Sequence, residues 1–484
     1  MWSISIIFLV LFVLYIVHKV VYNLFFHPLS SYPGPKLWAI SRLPWHWASI
    51  NGRLCWTLQE FHLKYGPTIR IAPDELSYTT SSAWKKIYGQ KVPEFSKCLD
   101  GRGIAPASRN GIRGIVTEFQ DRHATLRRAI LPAFSDRALR EQEHFLQTYT
   151  AKLVKQLHHE TGTLDIARWY SLTTFDIISE LAFGEPGSCL DNADQPWLNV
   201  IGNRAKGIVW YQVGAYYGLD RVIQSVAPSY YLKSRKSHMQ MCAAKVMKRL
   251  KKTDKMSDFM SYIINNEAAS LSNLDLTLMA SAFIVAGSGT TASALAGTTF
   301  FLLRNPECYQ RLVREIRSSF LTEEDITMAA TSELSYLRAC VEEGLRMFPP
   351  SPSTLPRFVP EKGELIDGKW IPGGIAVGVH QLSSGLMESN FHRAMEYLPE
   401  RWLELPKDSP FAKDDRSATQ PFSYGPRNCV GKSLGYQEIK LILSKVLWNF
   451  DLVLLDDSDV WWTQQKTFLV WEKKPLMVNI CPRK

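Results

Sequence analysis

The sequence predicts a mainly α-helical protein with small β-sheets, and two features carry that prediction. Long segments repeat their apolar residues with a helical period, whereas the segments with strand character are short. The helical segments cover residues 118–128, 137–158, 274–303, 335–346 and 432–447. The strand segments cover residues 68–72, 370–371 and 375–379.

Features of the local sequence explain why each segment is predicted to be helical or where it should begin or end. Segments 118–128 and 137–158 are amphipathic. Segment 274–303 is mostly apolar with small residues at its centre, so we expect it to cross the core. Segment 335–346 should end before Phe348-Pro349-Pro350, because proline disfavours helical backbone in the residue before it. Segment 432–447 follows a glycine-rich loop that contains a cysteine.

The composition is that of an ordinary globular protein, with 484 residues of which 46% are hydrophobic and 21% charged. The formal net charge is +10, but the basic residues are scattered and no nucleic-acid motif accompanies them, so we predict no nucleic-acid partner. The densest basic run is predicted to be a solvated helix face, and it consists of Lys245, Lys248, Arg249, Lys251, Lys252 and Lys255.

The N-terminus predicts a membrane anchor. Residues 2–17 are uncharged and almost wholly apolar, and after His18 and Lys19 the apolar run resumes to Phe26. About 20 apolar residues span a bilayer, so the run suffices if Lys19 reaches the interface. A signal peptide is the rival interpretation, but no small-residue cleavage site follows.

We therefore predict an anchor at residues 1–27, a proline-rich hinge at residues 28–36 and a single domain at residues 37–484. The chain after the hinge contains no Gly/Ser tract, no low-complexity block and no repeat. Positive residues after the anchor predict that this domain faces the cytosol. Eight widely spaced cysteines without a C-x-x-C pair favour neither disulfides nor a zinc site, and fit a reducing compartment.

Cys429 has unusual surroundings. Gly425 and Gly431 flank it, and Arg427 stands two residues before it. Backbone N–H groups stabilise a metal-ligating thiolate, glycines let the backbone approach a flat cofactor, and arginine suits an anionic substituent. A phosphate-binding P-loop is excluded, because five residues rather than four separate the two glycines.

Together with Phe422, these residues fill every defining position of the haem-binding loop of the cytochrome P-450 (haem-thiolate monooxygenase) family. The chain resembles that family from the N-terminal run to its C-terminal end, and most closely its microsomal members from filamentous fungi that act in secondary metabolism. The resemblance implies a P-450-like fold in which haem b is sandwiched between the long central helix and the cysteine loop. It also implies that Cys429 is the axial ligand of the iron.

The family has an E-x-x-R helix whose charges pair with an arginine in a P-E-R-F-like segment. Glu343 and Arg346 match that helix, and Arg401 matches that segment, with Trp402 where phenylalanine is usual. The resemblance implies that Glu343, Arg346 and Arg401 form a buried ionic network behind the haem, with a structural role.

Haem carries two propionates, which bidentate arginines suit. Arg427 is one candidate partner, and Arg357 stands where the family has another. In the run 122–128, His123 replaces the family's usual tryptophan, while Arg127 keeps its place. The resemblance therefore implies that His123, Arg127, Arg357 and Arg427 contact the propionates.

Thr290 matches the family's oxygen-side threonine, in a stretch of the long helix that also contains Gly287 and Gly289. Position 289 is usually an acid in the family. Because glycine cannot relay a proton, we expect water, or a hydroxyl or carboxyl group of the substrate, to complete proton delivery to Thr290.

The function implied is that of a monooxygenase of the endoplasmic reticulum membrane that acts on an apolar small molecule. An NADPH-dependent flavoprotein reductase would supply electrons, with a b-type cytochrome as a further electron donor. A haem-thiolate lyase or isomerase that needs no reductase is the alternative, and a non-catalytic haem sensor is a third. Four segments are expected to line the substrate pocket: residues 95–115, 197–217, 351–355 and 467–470.

Overall fold

The computed structural model describes residues 2–90, 93–103, 113–160, 162–192, 196–252, 257–264, 271–455 and 460–483. Within these ranges the chain is mainly helical with short strands, as predicted. The helices are α1 (Trp2–Val21), α2 (Lys36–Ile40), α3 (Leu43–Ile50), α4 (Leu54–Tyr65), α5 (Ser81–Tyr88), α6 (Gln120–Ile130), α7 (Asp136–His159), α8 (Ile166–Phe183), α9 (Pro196–Tyr217), α10 (Asp220–Val226), α11 (Ser229–Leu250), α12 (Phe259–Ile264), α13 (Asn273–Arg304), α14 (Pro306–Ser319), α15 (Met328–Ser332), α16 (Ser335–Met347), α17 (Gln381–Leu386) and α18 (Lys432–Asn449).

The strands form small sheets. They are β1 (Thr68–Ala72), β2 (Glu75–Tyr78), β3 (Ser96–Lys97), β4 (Gly162–Asp165), β5 (Arg357–Phe358), β6 (Glu364–Ile366), β7 (Lys369–Ile371), β8 (Ala376–Val379), β9 (Phe450–Leu454), β10 (Lys466–Phe468), β11 (Val470–Glu472) and β12 (Met477–Pro482). One sheet has the order β1-β2-β8-β5-β3, with β2 and β8 parallel. A second has the order β4-β12-β9, while β6-β7 and β10-β11 are hairpins.

The central helix α13 organises the core. It has 32 residues, which makes it about 48 Å long, and a capping box of Ser272 and Asp275 fixes its start. It packs against α8, α11, α16 and α18. A Cβ at Gly287 would lie 2.6 Å from Ile178, so the close approach of α13 to α8 requires glycine.

Most predicted elements lie within about two residues of their observed ends. The prediction 118–128 begins two residues early, because Phe119 has extended backbone and precedes the first turn of α6. Helix α8 is one of the helices that were not predicted. Fourteen of its 18 residues are buried, so its polar face is too narrow to make a helical period visible.

The basic run that begins in the last turns of α11 is not a uniformly solvated face. Arg249 is 4% exposed and forms an ion pair with Asp258 at 2.8 Å, so the prediction was wrong for this residue. Lys245 and Lys248 both pair with Glu185. The sequence does not reveal these pairs, because Glu185 lies 60 positions from Lys245 and Asp258 lies beyond the end of the helix. Lys255 lies outside the described residues.

The N-terminal helix α1 is exposed from Ser5 to Lys19. The apolar segment from Ser5 to Phe26 is long enough to cross a membrane and has none of its residues buried. The end of this segment nevertheless touches the main body. The Asn23 carbonyl accepts from Arg70 Nη1 at 2.8 Å, and Asn23 Nδ2 donates to the carbonyl of Ile40 at 3.0 Å.

Candidate functional site

The cysteine loop is shaped by its own backbone. The N–H of Cys429 donates to the carbonyl of Phe422 at 2.8 Å, and the N–H of Asn428 donates to the carbonyl of Gly425 at 3.0 Å. Gly425 has a φ of +75°, and a Cβ there would lie 2.0 Å from the carbonyl oxygen of Tyr88. Only glycine fits, because both the left-handed backbone and this close approach exclude a side chain.

Cys429 is suited to bind a metal because its side chain is accessible and because groups that stabilise a thiolate lie nearby. It is exposed, as is Cys481, whereas the other six cysteines are buried or half-buried. Desolvation by the packed loop raises the pKa of the Cys429 thiol, although the backbone N–H of Gly431 and the charges of Arg127 and Lys432 act to lower it. A bound metal cation would lower the pKa of this thiol, since a coordinating thiol loses its proton.

A cluster of basic side chains lies beside the loop. Sheet pairing is one cause, because β3 and β5 place Lys97 directly opposite Arg357. Like charges in such a pair destabilise a sheet, so this pairing indicates an anionic partner. We call this group the basic cluster, and its members are Lys97, His123, Arg127, Arg357 and Arg427.

The arginines of the basic cluster are anchored by the protein. Arg127 donates from Nη1 to the carbonyl of Asn428 at 2.7 Å and from Nη2 to its side-chain oxygen at 2.6 Å. Arg427 is ion-paired with Glu94. Arg357 is buried, and its guanidinium carbon lies 5.4 Å from the centre of the Tyr88 ring. These contacts fix where the cations lie relative to the cysteine loop.

The positive charges of the basic cluster repel one another. Burial, followed by the charges of Arg357 and Arg427, lowers the pKa of Lys97 to about 7. Burial, followed by the charges of the four other members, lowers the pKa of His123 to about 4. Glu94 alone cannot balance this charge, so the site fits an anionic group. A haem fits this set of donors, because its two propionates are anionic and its iron takes a thiolate ligand.

Sequence reasoning missed Lys97 and Glu94. Both lie in or next to the two-residue strand β3, which is too short to give a periodic signal. Lys97 Nζ donates to the carbonyl of Val116 at 2.5 Å. A pairing of Lys97 with Arg357 across 260 positions becomes visible only when the strands are aligned.

Thr290 lies in α13, and its Oγ1 donates to the carbonyl of Ala286 at 2.5 Å. A Cβ built at Gly289 meets no atom within 4 Å apart from its chain neighbours and the helix backbone, so there is open space at Gly289, the residue before Thr290. Ser288 is buried and donates to the carbonyl of Ile284 at 2.7 Å. The open space at this turn of α13 is therefore at Gly289 and not at Ser288.

Two titratable groups near this part of α13 were not predicted. Lys473 Nζ lies 3.4 Å from the carbonyl oxygen of Gly289 and 3.4 Å from Ser293 Oγ. Glu438, on α18, is buried, and burial raises its pKa to about 8, against a hydrogen bond with Thr291. Neither residue belongs to a pattern that singles it out in the sequence.

Glu343, Arg346 and Arg401 are brought together and are fully buried. Arg346 donates to both carboxylate oxygens of Glu343 at 2.7 Å, and Arg401 Nε donates to Oε1 at 3.1 Å. Trp402 Nε1 donates to Oε2 at 2.8 Å, and Asp414 pairs with Arg401. Burial raises the pKa of Glu343, but the two arginines outweigh it and hold the pKa below its usual value.

The predicted pocket segments meet around one cavity. Its lining includes one residue from each of the four predicted segments, namely Gly103, Val209, Thr354 and Leu469. Residues 104–112 of the first segment lie outside the described residues. The volume of the cavity that a water molecule can enter is about 50 Å³. Arg102 spans one side of it, pairing with Asp74 at 2.6 Å.

Comparison with known proteins agrees with this geometry. The cytochrome P450 family model matches residues 33–480. The chain is 54% identical over 476 residues to cytochrome P450 monooxygenase alt3 of Alternaria solani, covering 98% of this chain and 93% of the relative. It is 50% identical over 485 residues to cytochrome P450 monooxygenase alt1 of the same organism, covering 97% and 92%. It is 39% identical over 473 residues to averantin hydroxylase of Dothistroma septosporum, covering 96% and 89%. The chain therefore belongs to the cytochrome P450 family.

Proposed function

We propose that this cytochrome P450 is a monooxygenase that inserts one oxygen atom of O2 into an apolar small molecule, by hydroxylation or epoxidation. The family uses haem with a cysteine thiolate ligand. The observation that carries the proposal is the exposed Cys429 in its glycine-shaped loop, with the basic cluster beside it. The relatives' names, monooxygenase and hydroxylase, support the same reaction class, and the fungal resemblance supports a role in secondary metabolism.

In this proposal Cys429 holds the haem iron through Sγ, and the basic cluster holds the propionates. Bound haem supplies dioxygen activation, which thiolate ligation favours. Arg127 would link the two functions, because it is already anchored on Asn428, next to the ligand. His123 would contact a propionate as well, and the negative charge of that group would offset the neighbouring cations that lower the pKa of the imidazole.

Thr290 would position a proton on the oxygen side. Its hydroxyl is within hydrogen-bond distance of the helix carbonyl of Ala286, and the open space at Gly289 leaves room for water. Positioned side chains speed proton transfer by about 10²–10⁴-fold in enzymes, so the threonine is expected to govern how efficiently oxygen reduction is coupled to product.

An external redox partner belongs to this chemistry, and we propose an NADPH-dependent flavoprotein reductase with a b-type cytochrome as a further donor. Arg128 and Lys432 are exposed at the ends of α6 and α18 that adjoin the cysteine loop. Exposed cations of this kind steer an acidic partner to the face where electrons must arrive.

We further propose that helix α1 anchors the protein in the endoplasmic reticulum membrane, with residues 37–484 as one domain in the cytosol. The exposed apolar helix ends in His18 and Lys19, and positive residues on this side favour a cytosolic orientation. The proline-rich residues 28–36 would serve as the hinge between membrane and domain.

The test is turnover of the full-length protein in vesicles with an NADPH-dependent reductase under ¹⁸O2. Averantin, which the name of one relative identifies as that enzyme's substrate, is a first test compound within a panel of apolar aromatic compounds. The proposal expects product that contains ¹⁸O and forms only with NADPH. Product formed without NADPH would favour the lyase or isomerase, and the absence of any substrate-induced spectral change would favour a sensor.

A further inference from the structure

We propose that Lys473 supplies protons to the oxygen side of α13, in place of the acid that the family usually has at position 289. This inference rests on the proposed monooxygenase function. It assigns a role to a residue from the C-terminal hairpin rather than from the helix itself.

The geometry brings Lys473 to the turn of α13 that carries Thr290. Lys473 directly follows β11, and its Nζ is 3.4 Å from the Gly289 carbonyl and 3.4 Å from Ser293 Oγ. Ser293 is fully buried and donates to the same carbonyl at 2.7 Å. Both donors converge on Gly289, one residue before the threonine.

Glycine at 289 makes this arrangement possible. Apart from its chain neighbours and the helix backbone, no atom lies within 4 Å of a Cβ built there, so the space that an acidic side chain would enter is open at the turn that Lys473 reaches. Water can enter a space lined by polar groups. A proton can then pass from Nζ through water to the Thr290 hydroxyl.

The charges around Lys473 favour a readily transferred proton. Burial lowers the pKa of Lys473 to about 8, against the opposing charge of Asp165 at the start of α8. The neighbouring charged groups are engaged elsewhere, because Glu472 pairs with Lys206 and Lys474 binds Gln464 at 2.6 Å. A donor whose pKa lies near the working pH is an efficient proton source.

The transfer balances without any further reactant. One Nζ–H bond breaks, the ammonium becomes an amine, and the proton moves to the oxygen side. The Lys473 residue is partly exposed although its amine is buried, so the amine would regain a proton through water that enters beside the side chain. The lysine carries no electrons.

The experiment compares reconstituted holoenzyme of the wild type with Lys473→Met, Lys473→Arg and the matched control Lys474→Met. NADPH oxidation with the reductase is measured against pH, since oxygen reduction consumes protons even when it ends in peroxide. We expect Lys473→Met to slow oxidation by at least about 10-fold and to lose the inflection near the lysine pKa. Lys473→Arg should retain part of the rate and move the inflection upward, and Lys474→Met should behave as wild type.

Two further measurements separate a proton-supplying role from a structural one. The double variant Lys473→Met/Gly289→Asp should recover rate with a new pH profile, because the acid then occupies the open space. NMR titration of ¹³C-methylated lysines, with Lys473→Met used to assign the signal, should show Lys473 titrating near pH 8. Melting temperatures and carbon monoxide spectra should match the wild type.

A Lys473→Met enzyme with wild-type rate and pH profile, or a Lys473 that titrates near the ordinary lysine value, would overturn the inference. Failure of the proposed function has a different signature. The wild type itself would then oxidise no NADPH with the reductase, and the role of Lys473 would be rejected together with it.

Discussion

Arg401 Nε lies 3.1 Å from Oε1 of Glu343, a residue 58 positions earlier in the chain, and both side chains are fully buried. The contact joins α16 to the segment that leads towards the cysteine loop. Because Glu343 also accepts from Arg346 and Trp402, its carboxylate is the centre of the network.

Glu343→Ala is expected to give unfolded or haem-free protein. Removing one partner from a buried ion pair leaves the other charges unpaired and costs about 3–5 kcal/mol. Glu400→Ala is the matched control, because Glu400 is half-exposed and pairs with Arg311 on the surface. Soret absorbance and thermal melting report the result. Recovery of Glu343→Ala as a folded, haem-loaded protein of normal stability would show that the network is dispensable.

Truncation tests the anchor. Removing residues 1–21 should release much of the protein from membranes and leave its stability intact. Removing residues 1–27 should also release it and retain haem binding, but with a lower melting temperature. The longer cut removes Asn23, the carbonyl acceptor of buried Arg70, and an unsatisfied buried donor costs about 1–3 kcal/mol. If both truncated proteins stay fully bound to membranes, α1 is not the principal anchor.

Thr290→Ala should release more hydrogen peroxide per NADPH consumed, because the oxygen side loses its hydroxyl donor. Thr277→Ala is the matched control on the same helix, since Thr277 makes the same type of hydrogen bond, to the carbonyl of Asn273 at 2.8 Å. Unchanged coupling and rate in Thr290→Ala would mean that oxygen activation does not pass through this part of α13, and would favour the reductase-free lyase.

Glu438 should make stability depend on pH. Its folded pKa of about 8 lies above the ordinary value of 4.5, so the folded state binds the extra proton. Its contribution is complete below about pH 4.5 and is lost as the pH rises through about 8. Relative to Glu438→Gln, which cannot ionise, the wild type should lose stability between about pH 5 and pH 9, by up to roughly 5 kcal/mol. A melting-temperature difference that stays constant over this range would contradict the assignment.

The sequence predicted those features that depend on neighbouring residues or on a periodic spacing of apolar residues. The ends of α7, α13, α16 and α18 followed from apolar spacing and proline, and the residues around Cys429 followed from their order in the chain. The contacts that depend on strand pairing could not be predicted, such as Lys97 opposite Arg357. Lys473 and Glu438 were missed for a related reason. Their role depends on which turn of α13 their side chains contact, and the sequence around a single charged residue does not show that contact.

The central claim is that Cys429 is the haem ligand, and the carbon monoxide difference spectrum of the reduced protein tests it most directly. Cys429→Ser is compared with Cys481→Ser, which removes the other exposed cysteine. The wild type and Cys481→Ser should both give the thiolate-type spectrum, and Cys429→Ser should lose it, because serine oxygen is a poor match for the thiolate. A thiolate-type spectrum that persists unchanged in Cys429→Ser would contradict the claim.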